Sequence, residues 1–312
     1  MTGTDARPLD HTELDVRYSL ANTWNEYMTL EHGGQLARQE LDEQADSISV
    51  RLAVPWRKRF WTSVEWKVTE HWGGWSDGPI EAWHSLIGAF DYQRPWHPRS
   101  EVHLVYKDDG GTAFDFHSPG FAPGDLTVRT QAALLDAPVA LAARFDFKLP
   151  IGSLSSAGGS GGFDAGAGVV ATWPFNAWGT VHALIALSRF SNLSAPTLLQ
   201  PKEWHFTAEA SFEARIGETT LLVEDRVLSP LLPKGWALAP GTFAGDDALL
   251  STGLYAGFRA HNQISAGIRR GRFSFWMSED FTPGPNPRSV VQWVWVSNAP
   301  DIVLGVAFTQ PL

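Results

Sequence analysis

The sequence predicts an all-β fold, an antiparallel barrel that crosses a membrane with its strands. Three observations predict it: apolar and polar residues alternate with period two over segments of about ten residues, the connections are short and long in turn, and the chain carries 15 Trp and 18 Phe in 312 residues.

The alternation is cleanest from Trp204 to Ile216. Trp204, Phe206, Ala208, Ala210, Phe212, Ala214 and Ile216 share one face, and His205, Thr207, Glu209, Ser211, Glu213 and Arg215 the other. Val139, Leu141, Ala143, Phe145, Phe147 and Leu149 likewise oppose Ala140, Ala142, Arg144, Asp146 and Lys148. From Phe60 to Val68, Phe60, Thr62, Val64, Trp66 and Val68 oppose Trp61, Ser63, Glu65 and Lys67. A helix would scatter these residues around its circumference. Further strands are expected over 14–24, 47–55, 125–135, 164–173, 178–190, 219–228, 248–260, 264–278, 290–296 and 302–308.

Residues 56–59, 136–138, 174–176 and 217–218 make tight connections, while 26–46, 71–123, 150–162, 191–202 and 229–247 read as extended loops. Short periplasmic turns and long extracellular loops are the layout of outer-membrane barrels. Residues 264–278 taken as one strand give 12 strands. A turn at Arg270-Gly271-Arg272, where the apolar phase moves from Ile264 and Ile268 to Phe273, Phe275 and Met277, gives 14. A bulge would also shift the phase. The expectation is 12 to 14 strands, leaning to 14, in a single barrel domain over 1–312 with a long insertion at 71–123.

Composition excludes several classes. The net charge of -10 argues against a nucleic-acid partner, since phosphate binding needs a basic face. The absence of cysteine removes disulfides, thiolate nucleophiles and Cys-ligated metals. No run approaches the ~20 apolar residues of a membrane helix. Met1 to His11 lacks a basic start followed by an apolar run, so a leader removed before this numbering begins is expected.

In a small soluble barrel the interior must be filled by side chains or one ligand, but here the polar face carries long charged residues of both signs. Arg51, Glu65, Lys67, Arg129, Arg144, Asp146, Lys148, Glu209, Glu213, Arg215, Glu224 and Arg226 are expected to face a wet lumen. Open and salt-bridged interiors fit this pattern equally.

Several local runs carry a resemblance. They are Ser76-Asp77-Gly78-Pro79-Ile80-Glu81-Ala82-Trp83-His84, Arg99, Tyr106 to Phe116 with Asp109-Gly110-Gly111, Gly124-Asp125-Leu126, Leu149-Pro150-Ile151-Gly152, Gly159 to Asp164 and Ser278-Glu279-Asp280. Over most of its length the chain resembles an uncharacterised outer-membrane barrel family, domain of unknown function 3187, related to the MetA-like barrels of phenol degradation. The resemblance implies architecture and an outer-membrane location, with no activity attached.

Gly158 to Gly162 lies between two strands, with no helix N-terminus to hold a phosphate. Asp77, Glu81 and His84 form a candidate loop site, Glu81 and His84 sharing a face if residues 78–86 are helical. Against a metal or acid–base role stands simple packing around Trp75 and Trp83. Ser211 with His205, and Ser188 with His182, are six residues apart on one strand, about 20 Å and beyond hydrogen-bond reach. The functional expectation is a non-enzymatic barrel without cofactor or metal, touching outer-membrane lipid, either a small-solute pore or a structural envelope component. The alternatives are a barrel enzyme or ligand binder with its site in 71–123, and a soluble lipid-carrying barrel.

Overall fold

Period-two sequence becomes period-two exposure along the strands of the computed structural model, which describes residues 5–87, 99–198, 200–230, 237–238, 260–280 and 302–312. In chain order the elements are β1 (Glu13–His32), β2 (Gln35–Arg57), β3 (Phe60–Trp72), α1 (Asp77–Ile87), β4 (His103–Asp108), β5 (Gly111–Phe116) and β6 (Gly120–Pro123). They continue with β7 (Leu126–Leu135), β8 (Ala140–Leu149), β9 (Asp164–Pro174), β10 (Gly179–Arg189), β11 (Trp204–Ile216) and β12 (Thr219–Leu228). A short β13 (Ala237–Leu238), β14 (His261–Arg270), β15 (Phe273–Asp280) and β16 (Ile302–Pro311) complete the order.

Antiparallel pairing runs β1-β2-β3-β7-β8-β9-β10-β11-β12-β14-β15-β16 and returns to β1, closing a 12-stranded barrel. Closure is made by β1 and β16, in register from Glu13↔Pro311 to Asn22↔Ile302. Every ladder donor in the wall therefore has a strand neighbour, the condition for strands in lipid. The turn expected at Gly271 is present, with φ 57°, yet the wall does not reach fourteen. Direct pairing of β12 with β14, and of β15 with β16, leaves no place for further strands. The strands expected over 248–260 and 290–296 lie outside the described residues, Ala260 excepted.

The outer surface is apolar and the inner one polar. Ile185, Val223, Phe275 and Phe206 are 60%, 50%, 54% and 44% exposed, whereas Glu209 and Glu224 are 6% and 4% exposed. A soluble lipid carrier has the reverse arrangement, so this alternative is set aside. At the short-turn end the belt finishes in an aromatic girdle: Phe175 lies 5.7 Å from both Trp173 and Trp178 and 6.1 Å from Phe212, and Phe273 lies 5.3 Å from Phe308. The two indoles, Trp173 and Trp178, are amphipathic and favour such an interface. Toward the other end the outer face of β1 and β2 turns from Ile48 to Asp46, Gln44 and Asn22, whose polar atoms need partners that lipid cannot provide. No helix among the described residues is long and apolar enough to cross a membrane.

Two of the expected long loops are ordered differently. Residues 26–46 are mostly strand: β1 and β2 continue as a hairpin to His32↔Gln35, turning at Gly33-Gly34 with φ 60° and 84°. The 71–123 insertion holds α1 and three strands. From it, β4 pairs with the far part of β2 and β5 with β4. The β4–β5 hairpin reaches segments five strands round the wall. Tyr106 and Ala113 pack with Leu154, Leu193 and Ala195, and Asp108 accepts the Leu198 amide at 2.6 Å. This hairpin thus arches across the mouth of the barrel on the long-loop side.

Candidate functional site

Inward positions follow from strand register, because neighbours across a ladder share a face. Glu209 stands opposite Arg226, Glu224 opposite Ser265, Arg51 opposite both Asp15 and Glu65, and Arg129 opposite Asp146. Charges of both signs are thereby laid side by side, and most are paired. Arg226 bonds Glu209 at 2.9 Å and Glu224 at 3.1 Å. Arg129 and Arg144 grip Asp146 at 2.7 and 2.6 Å. Arg51 meets Glu13 at 2.7 Å, and Lys148 meets Asp164 at 2.7 Å and Asp125 at 3.1 Å.

Of the twelve residues singled out from sequence, these pairs contain eight. Glu213 joins Arg269 at 3.0 Å. Glu65 is part-covered between Arg51 and Thr127 in the ladder. Lys67 and Arg215 are exposed, the latter donating to the Gly217 carbonyl at 3.3 Å.

The barrel encloses a cavity of about 480 Å3, lined among others by Arg51, Arg129, Glu213, Glu224 and Arg269. A second cavity of about 520 Å3 lies among the short turns, bordered by Trp178, Arg215 and Gly271. Arg7, Glu213 and Arg269 border both, so this trio stands where the two meet. Sequence reasoning missed Arg7 entirely. Residues 5–11 have no periodicity to betray them, yet all but Ala6 line the inner cavity. Ala6 is fully covered against Trp61, Ala133, Ala140, Ala142, Val170 and Leu184. Arg269 was also missed, although its inward phase was readable from the alternation of its strand.

Asp77 and Glu81 are engaged elsewhere. Asp77, 6% exposed, accepts the Asn22 amide at 3.1 Å and the Ser100 backbone N–H at 2.9 Å, while Glu81 is paired with Arg99. Asn22 has the parity of Tyr18 and Gln44 that of Ile48, so α1 begins against the outer side of the wall and not over the lumen. The side chain of His84 lies outside the described residues. Ladder pairing does bring His182 opposite Ser211 and His205 opposite Ser188. The imidazoles bond elsewhere: His182 Nδ1 lies 2.9 Å from Thr172 Oγ1, and His205 Nε2 lies 2.8 Å from the Lys202 carbonyl. Among the described residues no group of His, Asp and Glu is arranged to hold a metal.

Comparison with solved structures finds several similar folds. The COG4313 outer membrane channel of Pseudomonas putida F1 aligns over 100% of both chains with a TM-score of 0.54 and 11% identity. The P. putida toluene transporter TodX aligns over 97% of this chain and 91% of its own, with a TM-score of 0.42 and 9% identity. LpxR from Salmonella typhimurium aligns over 94% and 99%, with a TM-score of 0.40 and 8% identity. The first shows a shared fold; the other two are too loose to add to it. No curated protein matches the sequence. One family does match it, over residues 3–242, and on that span the chain belongs to the family described as protein of unknown function DUF3187.

Proposed function

We propose that the protein is a non-enzymatic pore of the bacterial outer membrane, one barrel domain including its 71–123 insertion, in contact with outer-membrane lipid and passing small polar or charged solutes. The observation that carries this reading is a closed barrel whose charged interior holds two adjoining cavities while its apolar side chains point outward. Paired ions are tolerated in a wet or a salt-bridged interior alike, and it is the two adjoining cavities that favour a path. The twelve lumen-facing candidates, Arg51 to Arg226, line the path, with Arg7 and Arg269 added to them. The channel named in the COG4313 structure has the same fold, and the present reading extends that activity to this chain.

The test is reconstitution in planar bilayers. Discrete ion currents are expected, unchanged in Glu81→Ala and His84→Ala variants. Currents abolished by either substitution would move the functional site to the 71–123 insertion and favour a binder or enzyme there. A folded protein that inserts but carries no current under any condition would leave the structural envelope role in its place.

A further inference from the structure

The inner wall near the short turns carries a small apolar seat in an otherwise charged lumen. Trp61, Ala133, Ala140, Ala142, Val170 and Leu184 come from five strands adjacent in the wall, β3 and β7 to β10, and Ala6 is fully buried among them with Leu9 packed beside it. Polar groups surround it. The Ala6 amide donates to Thr172 Oγ1 at 2.9 Å, Thr172 Oγ1 in turn reaches Asp5 Oδ1 at 3.2 Å, and Gln131 Nε2 donates to the Asp5 carbonyl at 3.2 Å. These partners are separated by 166, 167 and 126 positions, so the contacts are tertiary and not a local turn.

From this geometry we infer a binding site inside the barrel for a short peptide with an Asp-Ala-Arg run, with this chain's own Asp5–Leu9 as its resident occupant and as the plug of the path. The inference rests on the pore reading above. Recognition is peptide-specific: one backbone N–H, one backbone carbonyl, one carboxylate and one methyl are each met by a matching group. The occupant also delivers Arg7 to the junction of the two cavities, beside Glu213 and Arg269. The segment contributes no ladder to the sheet before Glu13, so it is held by these few contacts alone, and the chain joins the wall at Thr12, whose carbonyl accepts the Leu312 amide at 2.8 Å. A tether fixed at Thr12 lets the segment leave the seat without disturbing the barrel.

The experiment compares the full chain, a form lacking residues 2–9, and Ala6→Trp, whose indole cannot enter a seat that leaves Ala6 no exposure. Retention of the compact electrophoretic form before heating confirms that each is folded. Both altered forms are expected to conduct several-fold more than the full chain in planar bilayers. A synthetic peptide of residues 2–11, added on the short-turn side, should return the shortened form to the low-conductance state, and a scrambled peptide should not. Equal conductance of the full and shortened chains, or equal block by both peptides, overturns the proposal. If no form conducts, the pore reading fails by itself. The seat is then read by fluorescence anisotropy of the labelled peptide in detergent: saturable binding to the shortened chain and none to the full chain supports it, and absence of saturable binding refutes it.

Discussion

Trp276 on β15 lies flat against Gly305 of β16, so close that a β-carbon at Gly305 would sit 2.1 Å from the indole Cζ2. Both residues have the inward parity of Ser278, so the absent side chain is what lets the ring lie along the wall. Gly305→Val is therefore expected to lift the indole into the lumen and lower single-channel conductance, with a shift in tryptophan emission. Conductance unchanged from the parent would show that the ring has room elsewhere.

The outward and inward faces should respond oppositely to the same charge. Ile185→Arg puts a cation at mid-strand on the lipid side and is expected to cost about 2–4 kcal/mol in folding. Ser211→Arg, on the cavity side, should cost far less and alter ion selectivity instead. Denaturant titration into lipid vesicles measures the first, and reversal potentials the second. Similar costs for the two would contradict the assigned faces.

Arg226 holds two carboxylates that are otherwise covered, and Glu209 Oε1 already lacks a hydrogen-bond partner. Removing the cation in Arg226→Ala leaves like charges opposed. Breaking a fully buried pair costs about 3–5 kcal/mol, and because Arg226 is 34% exposed a loss of about 2 kcal/mol is expected. The double change Arg226→Ala with Glu209→Gln should recover part of it, as read by the unfolding midpoint.

Acid should loosen the hairpin over the mouth. The hydrogen bond from the Lys107 ammonium, 2.8 Å away, is the main reason that the Asp115 carboxyl titrates below its ordinary range, and His117 at 3.0 Å adds to it. A carboxyl lowered on folding contributes fully above its unfolded value of about 3.9 and loses that contribution as pH falls through the folded value. Because the pair is exposed, the amount is below about 1 kcal/mol. Hydrogen exchange of β4 and β5 amides should show local opening that becomes easier below about pH 4 in the parent but not in Lys107→Met. The same acid response in both would remove Asp115 from the account.

The wall was readable because lipid and water impose a penalty at every second residue. Trp204 to Ile216 obeys that rule throughout, and its Phe206 and Glu209 fall on the faces its pattern assigns. Where neither face meets lipid the rule lapses: residues 35–46 carry charges in both phases, and a hairpin there, with one register shift opposite 39–41, looked like a loop. Ala6 was unreadable for another reason. Its role depends on alanines at 133, 140 and 142 leaving space together, which no local window reveals. The helix that would put Glu81 and His84 on one face was legible over 78–86, and α1 covers Asp77–Ile87, but only register tells that it starts outside the wall.

The β1–β2 hairpin has a practical consequence. Beyond Asn22, the last β1 residue paired with β16, the two strands run on together to His32, a blade of about 30 Å at the usual rise per residue. At its tip Gly33 and Gly34 have open space where side chains would project. An epitope spliced between them would be offered to antibodies on intact cells, and surface labelling of that epitope would report the orientation of the whole molecule without breaking a single cell open.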